Sequence, residues 1–304
     1  MNAFDLHTPA MTVAIALLVG MVGQSLAYHL RMPGIVILLL FGVLLGPDGL
    51  NVVDPSVLGD GLRVLVGFAI TVVLFEAGLN FDLGQFRAEM PAIRRLATIG
   101  ALVTFASASL LAGPLLLQGT RSAVLVGALV IATGPGVILP LLRRIRVRRN
   151  LQMILEGEGV FVEGIGAIIA LLVLHITFVG QDSPAHALAG VVTGVTAGIA
   201  GGSVMVLLLR WRRVVASGME KAFALALAWA TFVLGNAASA DSGALAVLIA
   251  GMMATNSARE TMRGVREQKD MLAPMIVSAF LVLIAAQSRV ADMAAVGWRA
   301  AALV

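Results

Sequence analysis

Of the 304 residues, 59% are hydrophobic and only 12% charged, and the mean hydropathy is +0.98. Soluble domains carry about 25% charged residues, so the composition defines an all-α polytopic membrane protein with lipid as its surroundings. The net charge of +4 comes mostly from arginines in the connections rather than from a soluble basic domain, which excludes nucleic acid as a partner. The absence of cysteine excludes disulfides, thiolate metal sites and cysteine nucleophiles.

Apolar runs that cross or nearly cross about 30 Å of hydrocarbon predict spans at Met11–Tyr28, Gly34–Gly46, Leu62–Leu79, Leu96–Leu117 and Ser122–Leu142. Further spans are predicted at Leu151–Val179, Leu188–Leu209, Ala222–Ala238, Gly243–Thr255 and Pro274–Gln287, and another opens near Met293. The second and ninth are short for a bilayer. Glu76 falls near one end of the third span, where a mouth residue, an ion-pair partner and a transport role are all open. Residues 81–95 and 257–272 have the pattern of interfacial amphipathic helices, with Arg259, Arg263 and Arg266 at helical spacing in the second.

The fifth span is interrupted by Thr133-Gly134-Pro135. Proline removes a donor and clashes with the preceding turn, and glycine permits unwinding, so the helix is expected to break there. Broken helix ends inside a membrane offer carbonyls and partial charges to an ion. An arginine cluster, Arg143 to Arg149, then leads into the sixth span.

Glu163 lies 12 residues past Leu151, roughly 18 Å into the sixth span at 1.5 Å per residue, near the bilayer midplane. A charge at that depth costs about 2.5–3.5 kcal/mol on insertion scales. A carboxyl group that is neutral when protonated and attracts a cation when ionised can hold either in turn, which is the chemical minimum for antiport. Glu156 lies two turns earlier on nearly the same face, closer to the helix end, and suits a mouth residue or a partner for the arginines. Glu158 points elsewhere and suits a structural ion pair. In the seventh span Gly190, Gly194, Gly198 and Gly202 recur at i, i+4 and form a flat stripe for helix packing, within the subunit or across a dimer. His7, His29, His175 and His186 show no metal-ligand spacing, and no nucleophile–base pair occurs, so neither a metal site nor an enzyme is expected.

The connections holding Arg31, Arg87 to Arg95, Arg143 to Arg149, Arg210 to Lys221 and Arg259 to Lys269 share one side and contain 17 of the 21 Lys and Arg residues. The opposite connections carry Asp48, Asp54, Asp60, Asp182 and Asp241. The positive-inside rule makes the basic side cytoplasmic and puts the N-terminus outside.

The block ATGPGVILPLLRRIRVRRNLQMILEGEGVFVEGIGA resembles the core signature of the monovalent cation:proton antiporters of the bacterial sodium/proton type. The resemblance extends to HLRMPGIVILLLFGVLLGP, LFEAGLNFDL and SGALAVLIAGMMATN, and so over nearly the whole chain. It implies one transmembrane exchanger domain over residues 1–304, with inverted repeats, a broken crossing helix and a dimerisation domain. Residue by residue, it implies that Glu163 replaces the ion-binding aspartate and Val162 its asparagine neighbour. Thr133 and Gly134 match the unwound crossing helix, Pro135 completes the break, and Glu158 matches a glutamate that pairs with an arginine on a later helix. Relatives continue past a segment matching Val296-Gly297-Trp298 into about three more spans. The resemblance therefore implies 10–11 of about 13 spans, a chain incomplete or shortened at its C-terminus.

The function so implied is secondary antiport of sodium or potassium against protons across a bacterial cytoplasmic membrane, with a part in pH homeostasis. It needs no cofactor beyond the transported ions and involves lipid and a second copy of the chain as partners. A non-transporting relative with a scaffold role is the alternative, favoured by Val162, Gly134 and the early ending.

Overall fold

The computed structural model describes residues 8–81, 84, 89–116, 119–131, 147–174, 176–177, 184–211, 215–216, 218–239, 242–258 and 272–288. Among these, regular structure is helical throughout: α1 (Pro9–Leu30), α2 (Gly34–Leu45), a 3-10 turn (Pro55–Leu58), α3 (Asp60–Asn80) and α4 (Met90–Arg95). A π-helical segment (Leu96–Gly100) joins α4 to α5 (Ala101–Leu116), and α6 (Thr120–Ile131), α7 (Arg149–Leu174), α8 (Pro184–Arg210), α9 (Glu220–Ala238), α10 (Ser242–Ser257) and α11 (Leu272–Ala286) follow.

Local chemistry sets several of the boundaries. The Thr8 hydroxyl accepts from Met11 N at 3.3 Å and Pro9 occupies the first helical turn, so α1 opens with a cap and a fixed φ. It closes at Arg31, whose left-handed φ of 58° lets its N–H reach the Ala27 and Tyr28 carbonyls before Pro33 forbids continuation. The 3-10 turn is capped by Asp54, whose Oδ1 accepts from Ser56 N at 2.9 Å and from its hydroxyl at 2.6 Å. Over the described residues each of the ten predicted spans overlaps helix, while 132–142 of the fifth, 178–179 of the sixth and everything beyond 288 lie outside the described residues. Five helices, including α1, α3, α8 and α9, are long and apolar enough to cross a membrane, and α2, α6, α10 and Pro274–Ala286 are shorter apolar helices.

Of 81–95, residues 81, 84 and 89–95 are described, and Met90–Arg95 is a helix with Pro91 in its first turn; no glycine or proline stands at Arg95 to end it, and it passes through the π segment into α5. The second expected interfacial helix, 257–272, falls almost wholly outside the described residues. The described helices divide into two compact units, the boundary falling within α3 after Val73.

The first unit contains α1, α2, the 3-10 turn, α3 up to Val73, and α11. Its core is Ala16, Leu38, Val53, Ala279, Val282, Leu283 and Ala286. Small residues let these helices approach closely, for a Cβ on Gly20 would lie 2.9 Å from Ser278 Cβ. At 12 residues α2 is about 18 Å long, and its Gly42 meets the Val282 carbonyl of α11. The second unit runs from Leu74 through α10. One of its cores gathers Phe75, Leu79, Met205, Leu209, Ala224, Ala228, Val247 and Ala254 around α10, and a second gathers residues of α4 to α7.

Candidate functional site

The helix expected to carry the ion site, α7, runs unbroken for 26 residues and includes position 163. The side chain of Glu163 lies outside the described residues, as do Thr133, Gly134 and Pro135 in full. What is described is their immediate surroundings in sequence. Phe161 and Val162, directly before Glu163, are buried, and so is Ile131, two residues before Thr133. All three belong to one apolar cluster with Phe81, Ile93, Ala97 and Ala101. The fold thus brings the chain entering 133–135 and the chain entering 163 against the same set of side chains.

Helix register sorts the carboxylates of α7. At about 100° per residue, position 158 falls between 161 and 162 around the axis, on the packed face, whereas positions 156 and 163 fall together on the opposite side. Glu158 is half-buried accordingly, flanked by the buried Gly157 and Gly159, and Glu156 is half-buried too. The buried, hydrocarbon-only side chain of Val162 contributes packing and no donor or acceptor.

Glu76 lies apart from α7 in the sequence and has its own partner. Its Oε1 is 3.9 Å from Lys221 Nζ at the start of α9, an ion pair whose Glu76 side chain is 44% exposed. The same end of α3 is held by two bonds that sequence inspection had not singled out. The Thr255 hydroxyl donates to the Leu79 carbonyl at 3.0 Å, and Asn256 Nδ2 donates to the Phe81 carbonyl at 2.7 Å. Both carbonyls belong to the end of a helix, where backbone acceptors have no partner within it. The available signal was the polar pair Thr255-Asn256 closing an apolar run, a pattern suited to reaching a neighbour's orphaned acceptors.

The glycine stripe of α8 lies against α10. A Cβ on Gly194 would meet Leu245 at 3.0 Å, one on Gly198 the Ala246 carbonyl at 2.6 Å, and one on Gly202 the Ala250 carbonyl at 3.0 Å. Gly190 is buried one turn earlier. Asn236 and Ser242 close the turn between α9 and α10, with Gly243 N donating to Asn236 Oδ1 at 2.8 Å and the Ser242 hydroxyl to the Gly235 carbonyl at 2.6 Å. Among the described residues no group of three His, Asp or Glu is arranged to hold a metal ion.

Fold and composition together define a multi-pass, all-helical membrane protein in which glycine-mediated packing supports a helix bearing several carboxylates. Residues 13–304 match the family described as sodium/hydrogen exchanger, transmembrane, and the chain belongs to that family, whose members are transporters and not enzymes. It is 25% identical over 199 residues to Na(+)/H(+) antiporter 1 of Methanocaldococcus jannaschii, covering 65% of this chain and 45% of that protein. It is 25% identical over 262 residues to the Na(+)/H(+) antiporter NhaS2 of Synechocystis sp., covering 85% of this chain and 47% of that protein. The chain therefore spans about half the length of the curated relatives it matches. The structure of the sodium proton antiporter MjNhaP1 from Methanocaldococcus jannaschii at pH 8 shares the fold, with a TM-score of 0.74 at 19% identity over 93% of this chain and 71% of that one.

Proposed function

We propose that this protein exchanges a monovalent cation, sodium or potassium, for protons, with Glu163 as the group that holds the two ions in turn. The observation that carries the reading is that an acidic residue stands within the continuous α7 of a sodium/hydrogen exchanger fold, on the side of the helix opposite the apolar face that Phe161 and Val162 pack with Ile131. Thr133 and Gly134 would supply backbone and hydroxyl oxygens beside the carboxylate, and Pro135 would disfavour helical backbone at Gly134 and so keep this segment unwound. Protonation removes the negative charge that attracts the cation, so proton and cation binding exclude one another, and alternating access of the loaded site couples their opposite movements.

Supporting positions follow from the same reading. Glu158, on the packed face of α7, serves an ion pair within the bundle, and Glu156 lies toward the mouth. Glu76 and Lys221 tie α3 to α9 at the basic, cytoplasmic end. The ions are cargo, and the reading includes no resident metal or organic cofactor. Charge bias supports a bacterial cytoplasmic membrane location with the N-terminus outside, and the protein is taken to act as a homodimer in lipid.

The test is Glu163→Gln in the full-length protein, followed by a pH-sensitive dye in everted vesicles. Sodium or potassium addition is expected to collapse a preformed proton gradient with the parent protein and to leave it intact with the variant. Undiminished exchange by Glu163→Gln would remove Glu163 from the site.

A further inference from the structure

Outside the acidic helix, the Asn256 amide of the second unit joins two helices. Its Nδ2 donates to the Phe81 carbonyl at 2.7 Å and to the Met252 carbonyl, one turn back in α10, at 2.8 Å. These two bonds can use both hydrogens of the amide and fix its plane. The Phe81 carbonyl follows the last turn of α3, and that of Leu79, two residues earlier, is held by the neighbouring Thr255 hydroxyl. Close backbone approach makes the joint rigid, since a Cβ on Gly78 would lie 2.5 Å from the Leu248 carbonyl and 3.0 Å from Gly251 Cα.

From Phe81 the connection passes to α7. The Phe81 and Phe161 rings lie with centroids 4.3 Å apart at an interplanar angle of 45°, and both residues are buried. Phe161 stands two residues before Glu163, and the same cluster contains Ile131, two residues before Thr133. One amide on α10 therefore fixes a backbone carbonyl whose own side chain braces the helix of the proposed carboxylate and the entry to the proposed break.

We propose that Asn256 is a positioning residue for the cation site: through the Phe81 carbonyl and the Phe81–Phe161 ring contact it sets where α7 presents residue 163. The proposal rests on the antiport reading and adds to it a residue that does not touch the ion. Ion-binding groups have to be held within about 0.5 Å of their working geometry by such supporting contacts. Loss of the amide releases Phe81, and α7 then settles into a range of positions that bind the cation less well.

Two readouts test this. In proteoliposomes driven by a proton gradient, with sodium chloride and potassium chloride titrated in parallel, Asn256→Ala is expected to raise the half-saturating cation concentration about tenfold with the maximal rate per protein largely kept. Asn256→Gln, which keeps an amide donor, is expected to recover part of that loss. The chain has no cysteine, so Ile93→Cys with Val162→Cys, two members of the same cluster that leave both rings in place, gives a specific pair for a short bismaleimide, and adding Asn256→Ala is expected to abolish most of the cross-link. Unchanged half-saturation, or a fall in maximal rate alone, would overturn the proposal, as would unchanged cross-linking. If the parent protein moves neither cation, the antiport reading fails, and the cross-link alone decides whether Asn256 positions α7. Should Asn256→Ala not reach the membrane, Asn256→Asp, equal in size but without the donor, carries both measurements.

Discussion

Thr255 and Lys221 both hold the end of α3, and their surroundings give them different weights. The Thr255 hydroxyl is buried and donates to a buried carbonyl. Thr255→Val keeps the shape and leaves the Leu79 acceptor without that donor, which is expected to lower stability by about 1–3 kcal/mol. Lys221 reaches a Glu76 side chain that water also reaches, and screening leaves an exposed pair of this kind worth about 0–1 kcal/mol. Unfolding in detergent, followed by intrinsic fluorescence, should rank Thr255→Val well below Lys221→Ala. The reverse order would make the ion pair the anchor of this joint. Glu163 could be singled out from the sequence because an acidic residue at midplane depth contradicts its surroundings on its own. Thr255 and Asn256 could not, because their meaning lies in carbonyls about 175 residues away along the chain.

Among the elements, α10 shows how packing follows from residue size. Most of its residues are buried, and glycines on three other helices meet it: Gly194, Gly198 and Gly202 of α8, Gly235 of α9, and Gly78 of α3. Gly198→Val would drive a branched side chain into the Ala246 carbonyl and Ile249, and overpacking of this kind costs about 1–3 kcal/mol. Gly100, in the π segment, has nothing within 4 Å of its Cβ position, so Gly100→Ala is expected to be neutral or to stabilise by about 0.5–1 kcal/mol. Size-exclusion chromatography after graded heating separates the two: Gly198→Val should lose its monodisperse peak first and Gly100→Ala no earlier than the parent. The i, i+4 stripe was legible in the sequence as a packing surface. Its partner was not, because the pattern on α8 specifies closeness without naming what comes close.

For the molecule as a whole, hydropathy alone locates the helices because each apolar run is bounded by charged or glycine- and proline-containing connections. The resemblance implied a separate dimerisation domain, but where the two compact units divide was not legible, since the boundary falls inside the continuous α3 and depends on which helices pack together. Orientation is a property of the entire charge distribution and can be measured directly in a chain without cysteine. Leu50 and Trp211 are 71% and 62% exposed, on connections assigned to opposite sides. Leu50→Cys is expected to react with a membrane-impermeant maleimide added to intact spheroplasts, and Trp211→Cys only after permeabilisation. The opposite pattern would invert the topology.

The burial of α10 also bears on how the protein is made. At 16 residues this helix is about 24 Å long, short for stable residence in lipid on its own. Its glycine-lined partners α3, α8 and α9 all precede it in the chain. When the ribosome delivers α10, the slot that receives it has therefore already been synthesised. Its entry into the bilayer is an act of assembly, and a defect in that slot would appear first as a failure of biogenesis, before any loss of exchange could be measured.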